Sequence, residues 1–305
     1  MDFLISGTHI NPVWLICVGF IVGICGGFFG VGGSFLAGPA LFAFGVPMNF
    51  VVGTDLAHIV GKSIVAAKKH RALGNVDIKL GLIMATATIV GVETGAQIIQ
   101  QLKRHQNVDF VVAIAFIIVL VGISSFVAWE SWQTLKMGKN TSSSKGKPKR
   151  DVSVIAYIAK RFQRFHFPPM ISLPNSDIKQ ISLWTILVVA YVGGVFSGFL
   201  GGGAGYIRMP AMVYILGVPT HVAVGTDLFE VVISASYGTL THAIKGNVDI
   251  LIALVMHTGA AIGAQIGATL TQYFHGVRIR LAFVPLPLLG AGLIIYGLVT
   301  GHHLK

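Results

Sequence analysis

Gly27-Phe28-Phe29-Gly30-Val31-Gly32-Gly33 and Gly198-Phe199-Leu200-Gly201-Gly202-Gly203-Ala204 are two versions of one glycine-rich phrase, and they decide the fold. Each ends an apolar stretch and each is followed by a short apolar piece, 34–44 or 205–216. At about 1.5 Å per residue such a piece reaches roughly 17 Å, half the thickness of a bilayer's hydrocarbon. The pattern predicts a half-helix in each case, with the glycines breaking the chain inside the membrane.

Other matches extend outward from this pair in fixed order. Phe44-Gly45-Val46-Pro47 returns as Leu216-Gly217-Val218-Pro219, and Val52-Gly53-Thr54-Asp55-Leu56 as Val224-Gly225-Thr226-Asp227-Leu228. Gly74-Asn75-Val76-Asp77 returns as Gly246-Asn247-Val248-Asp249, and Gly91, Gly95 and Ala96 match Gly263, Gly267 and Ala268. The offset shifts by one residue only once. The chain is therefore read as two homologous halves, residues 1–129 and 181–305, joined by a linker, 130–180.

Composition gives the class. Apolar residues make up 54% of the chain and charged ones only 11%, against roughly 25% charged in soluble domains. Stretches near 20 residues long and almost free of charge recur at 13–29, 78–99, 108–128, 181–200, 250–270 and 281–299. The expected fold is an all-α polytopic membrane protein, each repeat holding a glycine-broken, re-entrant half-helix and three to four transmembrane helices.

The net charge of +11 does not point to nucleic acid, because nearly half of the Lys and Arg lie between Lys136 and Lys179. Such a basic stretch reads as a cytoplasmic loop under the positive-inside rule. Its run Thr141-Ser142-Ser143-Ser144-Lys145-Gly146-Lys147-Pro148 is of low complexity, and 154–167 reads as a surface helix or a tether. Counts of Lys and Arg allow parallel or inverted repeats. Inverted repeats are favoured by analogy with transporters whose broken helices meet at a repeat interface.

Candidate site residues follow from the cost of polarity in lipid. A half-helix beginning at a break exposes backbone N–H groups and a partial positive charge, which suits an anion. This singles out Gly30, Gly32, Gly33, Ser34, Gly201, Gly202 and Gly203; the alternative is close packing through small residues. Arg208 stands in the second short piece, where Ala37 stands in the first, and must meet an anion or pair with Asp227 or Glu230. Asp55, His58 and Lys62 share one helical face, and Asp227, Glu230 and Ser234 take the same positions in the second half, with His242 extending the stripe. Such a stripe lines a path or forms an internal ion pair of Asp55 with Lys62. His58 is the natural proton-linked group. Glu93 serves coupling or is simply neutral and hydrogen-bonded, and His221 and His257 read as packing or surface residues. No metal-ligand spacing, cofactor motif or GxxxxGK[ST] sequence is present, and two cysteines in one apolar stretch read as packing.

In these blocks the chain resembles the TauE/SafE family of sulfite and organosulfonate exporters. The resemblance covers both halves and implies a multi-pass permease of the cytoplasmic membrane, carrying small anions such as sulfite or sulfoacetate. Its expected partners are that anionic substrate and the bilayer, no nucleic acid, and the sequence leaves room for a homo-oligomer. An anion channel is the competing reading; an intramembrane enzyme built on His58 and an acid is a weaker one, since no nucleophile–base pair is duplicated.

Overall fold

The computed structural model describes residues 2–104, 108–141 and 167–300. In the first half, α1 (Pro12–Phe29) and α2 (Ser34–Ala43) flank the glycine break, and α3 (Met48–Ala72), α4 (Ile78–Arg104) and α5 (Val108–Thr141) follow. The second half repeats the order. It runs α6 (Leu183–Leu200), α7 (Gly205–Ala211) continued by a π-helical turn at Met212–Leu216, α8 (Thr220–Ile244), α9 (Ile250–Leu270), α10 (Gly276–Phe283) and α11 (Pro285–Thr300). Both short pieces thus form as the sequence predicts.

Among the described residues, seven segments are long and apolar enough to cross a bilayer: Pro12–Phe29, Met48–Ala72, Ile78–Arg104, Val108–Gln133, Leu183–Leu200, Ile250–Tyr273 and Gly276–Thr300. The chain is a polytopic all-α membrane protein. The 25-residue α8, which carries Asp227 and Glu230, is not among the seven, and the other helices bury its polar face. α5 runs on to Thr141, into the span read as linker, and residues 170–182 at the far end of that span fold as a hairpin. Apart from Phe167, the segment 154–167 lies outside the described residues.

In lipid, helices associate through close van der Waals approach rather than hydrophobic burial, so small residues choose the partners. Gly19, Gly23 and Gly27 of α1 press on α9, where added Cβ atoms would lie 2.1, 2.4 and 2.3 Å from the carbonyl oxygens of Met256, Ala260 and Ala264. Gly259, Gly263 and Gly267 press back on Ile16, Phe20 and Ile24. Gly91 and Gly95 of α4 meet Gly194 and Gly198 of α6 in the same way. Residue numbers rise together along both seams, so each pair runs parallel. α3 and α8 run antiparallel, since Gly53 at the start of one abuts Asn247 beyond the end of the other, and Gly225 abuts Asn75.

These contacts explain two of the repeated phrases. Thr54 Oγ1 accepts from the Asp249 amide and Thr226 Oγ1 from the Asp77 amide, both at 2.9 Å. Each Val-Gly-Thr-Asp segment therefore receives the Gly-Asn-Val-Asp turn of the opposite half. Asp77 and Asp249 then cap α4 and α9, accepting from Leu80 and from Leu251 and Ile252. Their second oxygens accept serine hydroxyls from two short hairpins. Ser6, between β1 (Asp2–Phe3) and β2 (Thr8–His9), donates to Asp249 at 2.8 Å; Ser176, between β3 (Met170–Leu173) and β4 (Ile178–Ser182), donates to Asp77 at 2.6 Å.

Candidate functional site

Six glycines in the two breaks have φ between +67° and +83°: Gly30, Gly32, Gly33, Gly201, Gly202 and Gly203. Residues with a Cβ adopt this region at a cost, and at Gly30, Gly33 and Gly202 space forbids one as well. A Cβ on Gly30 would lie 2.5 Å from Val224 Cα, and one on Gly201 3.0 Å from Val52 Cα. The two breaks touch. Ser34 Oγ donates to Gly202 O at 2.6 Å, and a Cβ on Gly205 would lie 2.6 Å from Val31 Cα. No side chain caps the first turn of α2 or α7. The buried crossing of the breaks is where these two helices begin.

Asp55, His58 and Lys62 lie along α3, each about 1% exposed. His58 Nδ1 is 3.5 Å from Asp55 Oδ1 and 3.4 Å from Lys62 Nζ. Asp55 and Lys62 do not pair directly, the alternative that the sequence left open: the imidazole lies between them. Among the described residues no carboxylate comes within 4.0 Å of Lys62. Asp55 Oδ2 has no hydrogen-bond partner and faces the Gly202 backbone. A nitrogen shared in this way has two states. With a proton, Nδ1 donates to Asp55; without one, it accepts from Lys62.

The second half places a different set in the same register. Arg208 of α7 sets Nε 2.5 Å from Asp227 Oδ1 and Nη2 2.5 Å from Glu230 Oε2, with all three residues fully buried. Ser234 adds a hydroxyl to Glu230 at 3.3 Å. Of the sequence alternatives for Arg208, the geometry shows the paired one, with both carboxylates engaged. Asp227 Oδ2 faces Gly205, as Asp55 faces Gly202. Around the crossing, three carboxylates thus stand against Lys62 and Arg208.

Glu93 and His242 lie apart from this cluster. Glu93 accepts from Gln97, Thr241 and Tyr237 and pairs with Lys245 at 3.0 Å, at a partly exposed site between α4 and α8. His242 Nε2 holds the Gly198 carbonyl at 3.0 Å, and its counterpart His70 holds Gly27 at the same distance. Both secure the last turn of the helix before a break, a job visible only once α3 and α8 are placed beside those ends.

A further buried cluster escaped the sequence reading. Tyr214 donates to Glu130 at 2.9 Å, Arg280 Nε lies 3.5 Å from Glu130, and Arg280 Nη1 donates to Thr220 at 2.7 Å. Its signal was available, since Glu130 and Arg280 are charges bordering apolar stretches. Among the described residues, no group of three His, Cys, Asp or Glu side chains is arranged to hold a metal ion.

A family model described as "Sulfite exporter TauE/SafE" matches residues 15–294. Bacillus subtilis "Probable membrane transporter protein YunE" is 25% identical over 94% of this chain and 99% of its own length. YdhB from the same organism, named likewise, is 24% identical over 92% and 99%. An Arabidopsis thaliana "Sulfite exporter TauE/SafE family protein 2" is 24% identical over 44% of this chain and 30% of its own. No solved structure matches.

Proposed function

Because this chain belongs to the sulfite exporter TauE/SafE family, we propose that it is a permease exporting sulfite or an organosulfonate such as sulfoacetate across the cytoplasmic membrane. The observation that carries this reading is the buried contact between two left-handed glycine breaks, each opening an uncapped helix. Non-helical backbone at membrane depth is stable only where protein buries it or where it lines a path. Such backbone, twice over at one crossing, suits a midplane anion site of the kind found between transporter repeats.

The repeats in this reading are inverted and each α1–α2 or α6–α7 unit is a re-entrant hairpin. The antiparallel course of α3 and α8 supports this, as does the parallel packing of α1 on α9 and of α6 on α4. Alternating access then means rocking of the α1–α9 and α4–α6 pairs around the crossing. His58 couples the cycle to protons. An arriving anion draws on Lys62, and the protonated imidazole turns to Asp55.

Reconstitution into liposomes tests the proposal. Saturable flux of sulfite or sulfoacetate, altered by an imposed pH gradient and weak for chloride, is the expected result. A conductive, non-saturating chloride leak would establish the channel reading instead, and no flux of any of these anions would end the permease reading.

A further inference from the structure

The two halves build different charged niches at equivalent places, each keeping one acid, Asp55 or Asp227. In the second, Asp227 and Glu230 of α8 enclose a cation that belongs to the protein, the Arg208 guanidinium. In the first, the position of Glu230 is His58, that of Ser234 is Lys62, and that of Arg208 is Ala37, which supplies no charge. A third basic group joins them from α9. His257 lies over the α3 backbone at Gly61, where an added Cβ would be 2.2 Å from its Cε1. The ring is therefore seated against the residue preceding Lys62, one turn beyond His58. Its counterpart in the first half is Ala85, so the second niche has no such group.

These side chains, His58 and Lys62 on α3 and His257 seated on α3 at Gly61, have hydrogen-bonding capacity to spare. Among the described residues, His58 Nε2 and His257 Nδ1 are buried without partners, and the hydrogen-bond contact of Lys62 is with His58 Nδ1, at 3.4 Å. Asp55 touches this group through His58 alone, its other oxygen facing Gly202.

We propose that Lys62, His58 and His257 form the seat of the transported oxyanion, where the second half instead holds its own Arg208, with His257 as the residue that sets specificity. A sulfonate or sulfite offers three oxygens to three donors, each bond charge-assisted. Arg208 by contrast is the tethered ion of the second niche and touches no substrate. This assignment rests on the permease reading.

The test is calorimetric titration of the purified protein with sulfoacetate and with sulfite, alongside melting temperatures and liposome flux. Lys62→Met and His257→Gln each weaken sulfoacetate binding by about tenfold or more, the scale of one lost bond to a charged group, while the protein stays folded. Lys62→Arg retains affinity within about threefold, which a purely steric role for the stem would not distinguish from methionine. If His257→Gln and Lys62→Met bind within about twofold of wild type, the seat is elsewhere, and wild-type flux leaves the permease reading standing. A wild-type protein that neither binds nor moves either anion overturns both. Should Lys62→Met fail to fold, Lys62→Arg and His257→Gln still decide.

Discussion

Replacing Arg208 by methionine removes the cation from a fully buried triad and leaves Asp227 and Glu230 facing each other without it. Breaking a buried ion pair from one side costs about 3–5 kcal/mol, because the remaining charge keeps its desolvation penalty and loses its compensation. For a chain of this size, about 2–4 °C of melting temperature accompanies each kcal/mol, so Arg208→Met should melt roughly 6–20 °C below wild type. Replacing the whole triad, Arg208→Met with Asp227→Asn and Glu230→Gln, removes the uncompensated charges and should recover most of the loss, since neutral groups of similar volume often serve as well. Fluorescence-monitored unfolding in detergent measures both, and sulfoacetate titration of the same samples completes the comparison. An Arg208→Met protein that melts within about 2 °C of wild type yet no longer binds the anion would refute the reasoning, making Arg208 a ligand contact rather than a resident counter-ion.

Gly263→Ala places a Cβ 2.2 Å from Phe20 O on the α1–α9 seam; separating those helices should cost about 1–3 kcal/mol, read as a lower melting temperature. Ser176→Ala removes a 2.6 Å bond to the Asp77 carboxylate and should cost about 1.5–3 kcal/mol, with Asp77→Ala larger because it also uncaps α4. Anion flux should rise as pH falls, because the protonated ring adds positive charge beside Lys62; His58 is flanked by Asp55 and Lys62, with His257 seated on α3 at Gly61, and His58→Gln should flatten the profile. A steep profile surviving that substitution would move the proton elsewhere. A cysteine introduced by Ser143→Cys should be labelled from the cytoplasmic side only, as its basic surroundings require.

The duplicated phrases were legible because both halves repeat them, and the short pieces after each break were legible from length alone. What the phrases do was not. Val-Gly-Thr-Asp and Gly-Asn-Val-Asp look like site motifs in one dimension, yet Thr54 and Thr226 spend their hydroxyls on the opposite half's turn. Hydropathy marks helices but is silent on which helix faces which, because any apolar helix satisfies lipid. The fourfold spacing of Gly19, Gly23 and Gly27 against Gly259, Gly263 and Gly267 was the available clue to that pairing. The stripe on α3 was found, but not that His58 separates Asp55 from Lys62, since helical spacing puts all three on one face without ordering their tips. His257 reads in one dimension as a packing or surface residue, and its seat against Gly61 of α3 shows only in the fold.

The crossed docking of the two halves has a consequence for how the protein is made. The Asp77 turn is joined to a hydroxyl 149 residues later in the chain, and Thr54 waits for an amide 195 residues away. At ribosomal speeds of roughly 5–20 residues per second, the first half spends about 7–40 s in the membrane before its mates emerge. During that interval Asp55, His58 and Lys62 have no α8 to shelter them, and the glycine seam of α4 has no α6.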